Sequence, residues 1–391
     1  MILVQEGSNV YDLPELELSD AFAALTPLME ARGLTAGGEL AWRPPGQELD
    51  ALREAVPDFR AAVIDSGKPD GVVTRDLVTL PYPTKFALWR SPTSPAPYLW
   101  FTNRMTVIQW HDADGRRRTL VWEPSDHERG EYTPYFARLK AKNPLPDSML
   151  STAHGTVLGH LQALGIDPDD VDYLAFDHLH TQDVRRLIGT TRPAPDLGNG
   201  QEPVEPWFKN AKLIVQAREW ETIRHLHPLQ VPWYQPETYN SLPTERLLAV
   251  DGDVLLGPGV ALMYTPGHTA GNMSLVLHTE RGLWTSSENG VAAECWAPRA
   301  SRIPGVRKWS LEWGQDVIMN ANTLEYTAWQ YDSMVVESEV ADRAPDGVYP
   351  QCFPTSELTS HPLSPMTAPT HAFGGIEHGM VRGGAITPVG A

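Results

Sequence analysis

The spacing of apolar residues divides the chain into an N-terminal part with helical periodicity and a longer part with strand-like runs. Near the N-terminus, "SDAFAALTPLMEARG" starts at an N-cap candidate, Ser19, and stops at Gly33, which predicts a helix that Pro27 kinks. The stretch "QELDALREAVPDFRAAVIDSG" is also amphipathic, and we expect Pro57 to break it. These patterns predict a helical extension over residues 1–80.

From about residue 85 the pattern changes to short apolar runs separated by turn residues. "TKFALWR" and "YLWFTNRMTVIQWHDADGRRRTLVWEP" indicate antiparallel strands with an Asp-Gly turn. The stretch "LLAVDGDVLLGPGVALMYTPGHTAGNMSLVLHTERGLWTSSENG" adds three or four strands, whereas "EWGQDVIMNANTLEYTAWQYDSMVVESEVADR" is mainly helical. Residues 361–391 are rich in Pro, Gly, Ser and Thr, so we expect a tail that wraps the surface.

Composition narrows the class of protein. The 391 residues suit one large enzyme fold with an added region, and the 41% hydrophobic content suffices for a core. A net charge of -18 repels polyanions, so nucleic acid is not expected as a partner. No apolar run approaches the roughly 20 residues that a membrane span needs, and the start lacks a basic signal sequence. We therefore expect a cytoplasmic protein that takes a small-molecule substrate, as a monomer or a homo-oligomer.

Two His-x-His pairs are the first candidates for chemistry. His178 and His180 stand in "YLAFDHLHTQD", directly after a short apolar strand. His225 and His227, in "RHLHP", precede a Pro-rich loop and have no companion motif, which favours surface or structural roles. A strand that delivers side chains into a loop at its C-terminal end is a common way to build a site.

The first pair has companions farther along the chain. "YTPGHTAGN" places His268 after a strand and a Gly turn, and "LWTSSENGV" ends another strand with Glu288. Imidazole nitrogens at strand ends can hold Zn²⁺ and leave a coordination position open for water. These residues are the candidate metal ligands.

Residues 85–360, through "GIDPDDVDYLAFDHLHTQD" and "TPGHTAGNMSL", resemble the metallo-β-lactamase superfamily, especially its lactonase-like hydrolases. The resemblance implies an α+β class and a four-layer αββα sandwich, with metals at one edge of two packed sheets. It assigns this domain to residues 81–360, between the helical extension and the tail. His178, His180 and His268 match the three-histidine metal site of the family.

The second metal site of the family is altered here. Gln182 falls where the family has the Asp of His-x-His-x-Asp-His, and Asp183 falls where it has the last His. Glu288 replaces the bridging Asp. The place of the family's final His holds Ser356 and Glu357, with His361 close behind. The resemblance thus implies one intact metal site, and either Glu357 or His361 could complete a second.

The implied function is a metal-dependent hydrolase that acts on an ester, lactone or amide through a metal-activated water. Asp183 or Glu288 would serve as the base if neither is fully committed as a metal ligand. Zn²⁺ is the expected metal, as one ion or two, and oxygen-rich ligands would suit Mn or Fe. Two alternatives stay open: a di-iron oxidoreductase of the same fold, and a non-catalytic binding protein with a decayed site.

Overall fold

A computed structural model of the protein describes residues 13–33, 44–142, 150–198, 200–321 and 326–383. The strands within these ranges are β1 Ala23–Leu25, β2 Gly71–Pro83, β3 Tyr98–His111, β4 Arg117–Trp122, β5 Thr152–Ala153, β6 Tyr173–Ala175, β7 Lys212–Gln216, β8 Leu247–Val250, β9 Asp253–Gly257, β10 Val260–Tyr264, β11 Met273–Thr279, β12 Gly282–Ser287, β13 Cys352–Pro354, β14 Ser356–Thr359 and β15 Glu377–Gly379.

The helices within the same ranges connect and cover these strands. They are α1 Pro27–Ala31, α2 Pro45–Asp65, α3 Thr84–Ala87, α4 His127–Gly130, α5 Pro134–Lys142, α6 Val157–Ala163, α7 Arg185–Ile188, α8 Ala217–Arg224, α9 Pro236–Tyr239, α10 Ala293–Trp296, α11 Val306–Trp313 and α12 Thr327–Val340. Across the ranges that the structure describes, no helix is both long and apolar enough to cross a membrane.

The strands form two sheets. Sheet 1 has the order β15-β2-β3-β4-β6-β7-β8, with β14 paired to β3 and β5 paired to β2. Sheet 2 has the order β1-β9-β10-β11-β12-β13. The pairs β4-β6, β6-β7 and β7-β8 are parallel, so β6 and β7 deliver their C-terminal loops to one edge of sheet 1.

The two sheets face each other across an apolar core. Ile108 and Trp110 of β3 point into this core and meet Leu262 of β10 and Leu275 of β11. The neighbouring positions on β3, such as Val107, belong to a different cluster on the outer face of sheet 1. This alternation follows from the two-residue period of a strand, and both faces of sheet 1 are therefore covered.

Helices cover the outer faces of both sheets. Trp220 of α8 and Leu161 of α6 pack with Val107 on sheet 1. On sheet 2, Phe59 of α2 packs with Met263. Each fully buried large apolar side chain contributes roughly 1.5–3 kcal/mol to folding. The layers thus run helix, sheet, sheet, helix, which confirms the predicted α+β class and αββα sandwich.

The N-terminal region corrects the prediction of a purely helical extension. Residues Ala23–Leu25 form β1, which pairs with β9, and Pro27 occupies the first turn of α1 instead of kinking a longer helix. The predicted break at Pro57 is also absent, because α2 runs through it from Pro45 to Asp65. Packing against sheet 2 offsets the missing backbone hydrogen bond.

The predicted boundaries at both ends cut across sheet 1. A boundary at residue 80 falls inside β2, which pairs with β3 along most of its length. In the tail, β15 pairs with the start of β2, so residues 377–379 add a strand to the sheet. Residues 384–391 of the predicted tail lie outside the described residues.

Candidate metal centre

Three strand-end loops meet at one edge of the sandwich. His178 and His180 follow β6 of sheet 1, His268 lies between β10 and β11 of sheet 2, and Glu288 follows β12. The two sheets are joined at this point, since the backbone N–H of Met273 donates to the carbonyl of Asp177 at 2.8 Å. The structure therefore brings together four of the five residues predicted from the sequence.

The three histidine rings form a tight buried cluster. Their centroids are 4.8 Å apart for His178 and His180, 4.5 Å for His178 and His268, and 5.3 Å for His180 and His268. One nitrogen from each ring lies within 4.8 Å of the others. All three side chains are at most 3% exposed. This spacing allows one small ion to contact all three rings.

Hydrogen bonds at Nδ1 orient two of the rings. His178 Nδ1 donates to Asp177 Oδ1 at 2.5 Å, and His268 Nδ1 donates to the carbonyl of Asn320 at 2.8 Å. A metal-binding histidine commonly donates its other ring nitrogen to a carboxylate or carbonyl in this way. Neither ring nitrogen of His180 has a hydrogen-bond partner within the described chain. A buried imidazole without partners is costly unless an ion or ligand contacts it.

Burial governs the charge of the rings. It lowers the pKa of His268 to about 3 and, with the other two rings, takes the pKa of His180 well below its ordinary value. Burial also lowers the pKa of His178, but the Asp177 carboxylate more than offsets it and raises that pKa to about 9. His180 and His268 are therefore held neutral, which is the form that binds a metal.

Glu288 places a carboxylate beside this cluster. Its Oε2 lies 3.8 Å from His178 Nε2, and its side chain is 21% exposed. The backbone fixes the position, because Glu288 N donates to Asp177 Oδ2 at 2.5 Å and the Glu288 carbonyl accepts from Asn320 Nδ2 at 3.1 Å. Burial raises the pKa of Glu288 to about 7. The group can thus exchange a proton near neutral pH.

Asp177 is a supporting residue that the sequence analysis did not select. Both of its oxygens are engaged, one by His178 and one by Glu288 N. Its own backbone N–H donates to Glu123 Oε1 at 2.5 Å. Glu123 follows β4 with a positive φ of 56°, and burial raises its pKa well above the ordinary value. The signal that could have identified Asp177 is its position directly before His178.

Glu219 of α8 connects the two histidine loops. Its Oε1 accepts from Leu179 N and from Tyr234 Oη, both at 3.0 Å. Its Oε2 accepts from Thr269 Oγ1 at 2.6 Å. Leu179 separates the paired histidines and Thr269 follows His268, so one carboxylate holds both loops. Nothing in "AREWE" marks this role, because it depends on tertiary contacts.

We expect Glu219→Gln to weaken metal binding by about tenfold, the low end for loss of a supporting partner. The amide nitrogen cannot accept from both loops as the carboxylate does. Competition with a chelator measures the metal dissociation constant. Glu221→Gln on the exposed side of the same helix is the matched control. Equal metal affinity in both variants would contradict a role of Glu219 in holding the two histidine loops.

Asp183 is not brought into the cluster. Its carboxylate accepts from Arg185 Nε at 3.0 Å and from Arg185 Nη2 at 2.7 Å, and Arg129 Nε lies 3.6 Å away. Asp196, whose side chain is 43% exposed, completes this charge network at the surface. The geometry corrects the expectation for Asp183, giving it a structural ion pair in place of a metal-ligand or base role.

Asp183→Asn should therefore destabilise the protein and spare the metal. We expect a loss of about 3 kcal/mol, the low end for breaking a buried ion pair, because Asp196 still pairs with Arg185. Urea unfolding measures the free energy, and metal analysis of the same sample gives the content. A stable variant that has lost its metal would reverse this assignment.

The two candidates for completing a second metal site also lie elsewhere. Glu357 is buried in an ion pair with Arg104 and accepts from Phe373 N at 2.8 Å. His361 stacks on Trp100 with centroids 3.9 Å apart. Of this segment, Ser356 reaches the candidate site, where its hydroxyl accepts from Asn103 Nδ2 at 3.2 Å.

Two backbone features hold the loops in place. Thr181 has a φ of 62°, which is unusual for a β-branched residue and costs roughly 1–3 kcal/mol. Its N–H donates to the carbonyl of Trp233 at 2.7 Å. Gly267 packs so closely on α12 that a Cβ would lie 2.1 Å from Gln330 N. The residue before His268 must therefore be glycine.

A pocket of about 360 Å³ opens over the cluster. The three histidines, Gln182 and Glu288 line its polar end. An apolar part of the wall includes Leu80, Tyr82, Phe101, Phe136, Leu139 and Trp233, and the loop after β4 adds polar side chains. A concave site with an apolar wall and a few converging polar groups suits a small-molecule ligand.

Sequence comparisons point to one group of enzymes. No protein-family model matches the chain. An N-acyl homoserine lactonase from Bacillus thuringiensis is 32% identical over 130 residues, which cover 33% of this chain and 42% of the relative. A relative with the same name from Bacillus cereus is 29% identical over the same length. The chain thus spans less than half of the length of these relatives.

Solved structures give weaker likenesses. A quorum-quenching N-acyl homoserine lactone lactonase has a TM-score of 0.40 and 19% identity, over 64% of this chain and 88% of that one. AidC, a dizinc quorum-quenching lactonase, has a TM-score of 0.43 and 10% identity, over 75% and 92%. The fold assignment rests on the αββα layers described above. The chain thus has an αββα sandwich with three histidines clustered at one edge, and over 130 residues it is similar in sequence to N-acyl homoserine lactonases.

Proposed function

We propose that the protein is a metal-dependent hydrolase of lactones or related esters. The observation that carries this proposal is the convergence of three buried imidazoles at the floor of a small-molecule pocket. The sequence relatives, which are named N-acyl homoserine lactonases, support the same substrate chemistry. Their match covers 42% of their length, so the substrate itself is part of the proposal.

The three histidines fit a transition metal. His180 has no hydrogen-bond partner for either nitrogen within the described residues, and His178 and His268 each donate from Nδ1 to an oxygen. Three imidazole ligands with an adjacent carboxylate are typical of catalytic zinc, and we propose Zn²⁺. When bound, the ion supplies Lewis acidity that polarises the ester carbonyl and makes water more acidic.

Glu288 is the proposed base. Its carboxylate lies beside His178 at the polar end of the pocket, where a pKa of about 7 suits proton transfer. In this scheme Glu288 takes a proton as water oxygen bonds to the carbonyl carbon. The carbon–oxygen bond of the ester then breaks, and the proton passes to the leaving alkoxide. Asn320 Nδ2 donates to the Glu288 carbonyl and the Glu288 N–H donates to Asp177 Oδ2, and these two bonds fix the backbone that carries the carboxylate.

We propose that one metal ion suffices and that the second site is altered. Glu357 and Asp183 are committed to arginines, and His361 stacks on Trp100. Asp177 has both oxygens in hydrogen bonds. No observation favours the di-iron alternative, since Asp177 and Glu288 are the carboxylates grouped with the histidines among the described residues.

Hydrolysis of γ-lactones tests the proposed function. It is measured by the proton release that accompanies ring opening in weak buffer. The protein supplied with one equivalent of Zn²⁺ should show saturable hydrolysis that a chelator removes and added Zn²⁺ restores. Simple aliphatic esters of similar length form the second arm of the assay. Failure to hydrolyse any lactone or ester with Zn²⁺, Mn²⁺ or Fe²⁺ would contradict it.

A further inference from the structure

The loop after β4 lines the same pocket as the histidines and leaves polar atoms without partners. Ser125, Asp126 and His127 are consecutive, and all three line the pocket. Ser125 Oγ, Asp126 Oδ2 and His127 Nε2 are buried and have no hydrogen-bond partner among the residues described. Ser125 is 7% exposed and Asp126 is 6% exposed.

Three consecutive residues with such atoms indicate a hydrogen-bonding partner that the described part of the chain does not supply. Buried polar atoms without partners are few in native proteins, and each asks for an explanation. Here the atoms share one wall of a pocket that already contains the candidate catalytic groups. A ligand that reaches the histidines would therefore pass this wall.

A metal ion is a poor match for these atoms. Within the described chain, the side chains grouped closely enough to hold a metal are His178, His180 and His268, or Asp177, His178 and Glu288. Neither group includes Asp126 or His127. The partner is better sought among organic groups that form hydrogen bonds.

The charges along the wall favour a neutral group. Arg186 Nη1 lies 3.5 Å from Asp126 Oδ2 and 3.0 Å from Glu128 Oε2. Farther along the wall, Lys140 pairs with Glu131 at 2.8 Å. Each of these carboxylates has a cation beside it, although Asp126 and Glu128 share Arg186, so an anionic ligand group is disfavoured and a cationic one gains little.

We propose that Ser125, Asp126 and His127 form a polar subsite that binds an uncharged amide or hydroxyl group of the substrate. Such a group donates and accepts hydrogen bonds, as the serine hydroxyl and the imidazole also do. The proposal rests on the proposed lactone hydrolysis and adds to it. The substrate would carry its polar group beside the scissile ring and its hydrocarbon part against the apolar wall.

Two lactones of matched size test the subsite. N-hexanoyl homoserine lactone carries an amide next to the ring, and α-heptyl-γ-butyrolactone has the same ring and chain length without it. The ratio of their kcat/KM values is measured for the zinc-loaded protein and for His127→Phe and Ser125→Ala. An alcohol-bearing analogue separates hydroxyl from amide recognition. The matched control is His225→Phe, an exposed histidine outside the pocket.

The ratio should fall by about tenfold in His127→Phe and Ser125→Ala, mainly through KM, and should stay constant in His225→Phe. Equal losses for both lactones, or no change in the ratio, would overturn the subsite while leaving lactone hydrolysis intact. Loss of zinc in His127→Phe would overturn it in favour of a metal role.

A binding measurement keeps the two proposals separable. If the unsubstituted protein hydrolysed neither the lactones nor the esters, the proposed function would fail, and calorimetry with the ring-opened N-hexanoyl-L-homoserine would decide on the subsite. Binding weakened about tenfold by His127→Phe and unaffected by His225→Phe would support it. Absence of binding to the unsubstituted protein would overturn it. Thermal unfolding of each variant confirms that the fold is retained.

Discussion

His180→Ala is expected to remove the bound metal and abolish hydrolysis. This ring is the candidate ligand with no hydrogen-bond partner for either nitrogen within the described residues, so metal contact is its evident role. The loss of affinity should exceed the roughly 10–100-fold that loss of a supporting partner costs. Metal analysis of protein purified without chelator, together with the lactone assay, measures both effects.

The other His-x-His pair offers a matched control. His225 is 58% exposed, pairs with Glu221 on α8 and does not line the pocket. His225→Ala should keep the metal and the activity. If His180→Ala retained a full equivalent of tightly bound metal, the three-histidine site would be disproved.

Glu288→Gln is expected to abolish most hydrolysis while the metal stays bound. The substitution keeps the shape of the side chain but removes the group that accepts a proton, and general bases contribute typically 10²–10⁴-fold. The three histidines still hold the ion, so folding stability should change little. Turnover, metal content and visible absorption are measured on the same sample.

Each outcome for Glu288→Gln separates the functional classes. Loss of metal along with activity would make Glu288 a ligand rather than a base. Iron with visible absorption in the unsubstituted protein, lost in the variant, would indicate the di-iron oxidoreductase. Unchanged turnover would exclude Glu288 from catalysis. Glu280→Gln, on the exposed turn between β11 and β12, is the control.

The three clustered histidines could be predicted because their positions depend on local pattern. An apolar strand that ends in His-x-His, and another that ends in Gly-His-Thr, place side chains at sheet edges regardless of what lies between. The αββα layers were predicted from the resemblance to the metallo-β-lactamase superfamily, and the strand and helix pattern is consistent with them. Order along the chain was therefore sufficient to bring together His178, His180, His268 and Glu288.

The direction of neighbouring side chains could not be predicted in this way. Asp183 stands three residues after His180, yet its carboxylate pairs with Arg185, which also pairs with Asp196. It therefore belongs to a charge network separate from the histidines. Sequence spacing gives no information on such long-range partners. The same holds for Glu219, which reaches the cluster from α8, a helix distant in the chain.

The helix break predicted at Pro57 was wrong because tertiary packing outweighs the local preference of proline. Pro57 predicts a break, but the apolar face of α2 spans both sides of it and is buried on sheet 2. Burial of Leu52 and Phe59 outweighs the lost backbone hydrogen bond. The run "EPSDHERG" after β4 is polar, but its sequence alone does not indicate a site. Only the structure shows that its buried atoms without partners line the pocket.

Titration of the metal-free protein with Zn²⁺, with lactone turnover measured at each addition, tests the three-histidine hydrolytic centre most directly. We predict no turnover without metal and a linear rise that ends at one equivalent of Zn²⁺ per chain. Activity in the metal-free protein, or a rise that ends at two equivalents, would contradict a single catalytic ion held by His178, His180 and His268.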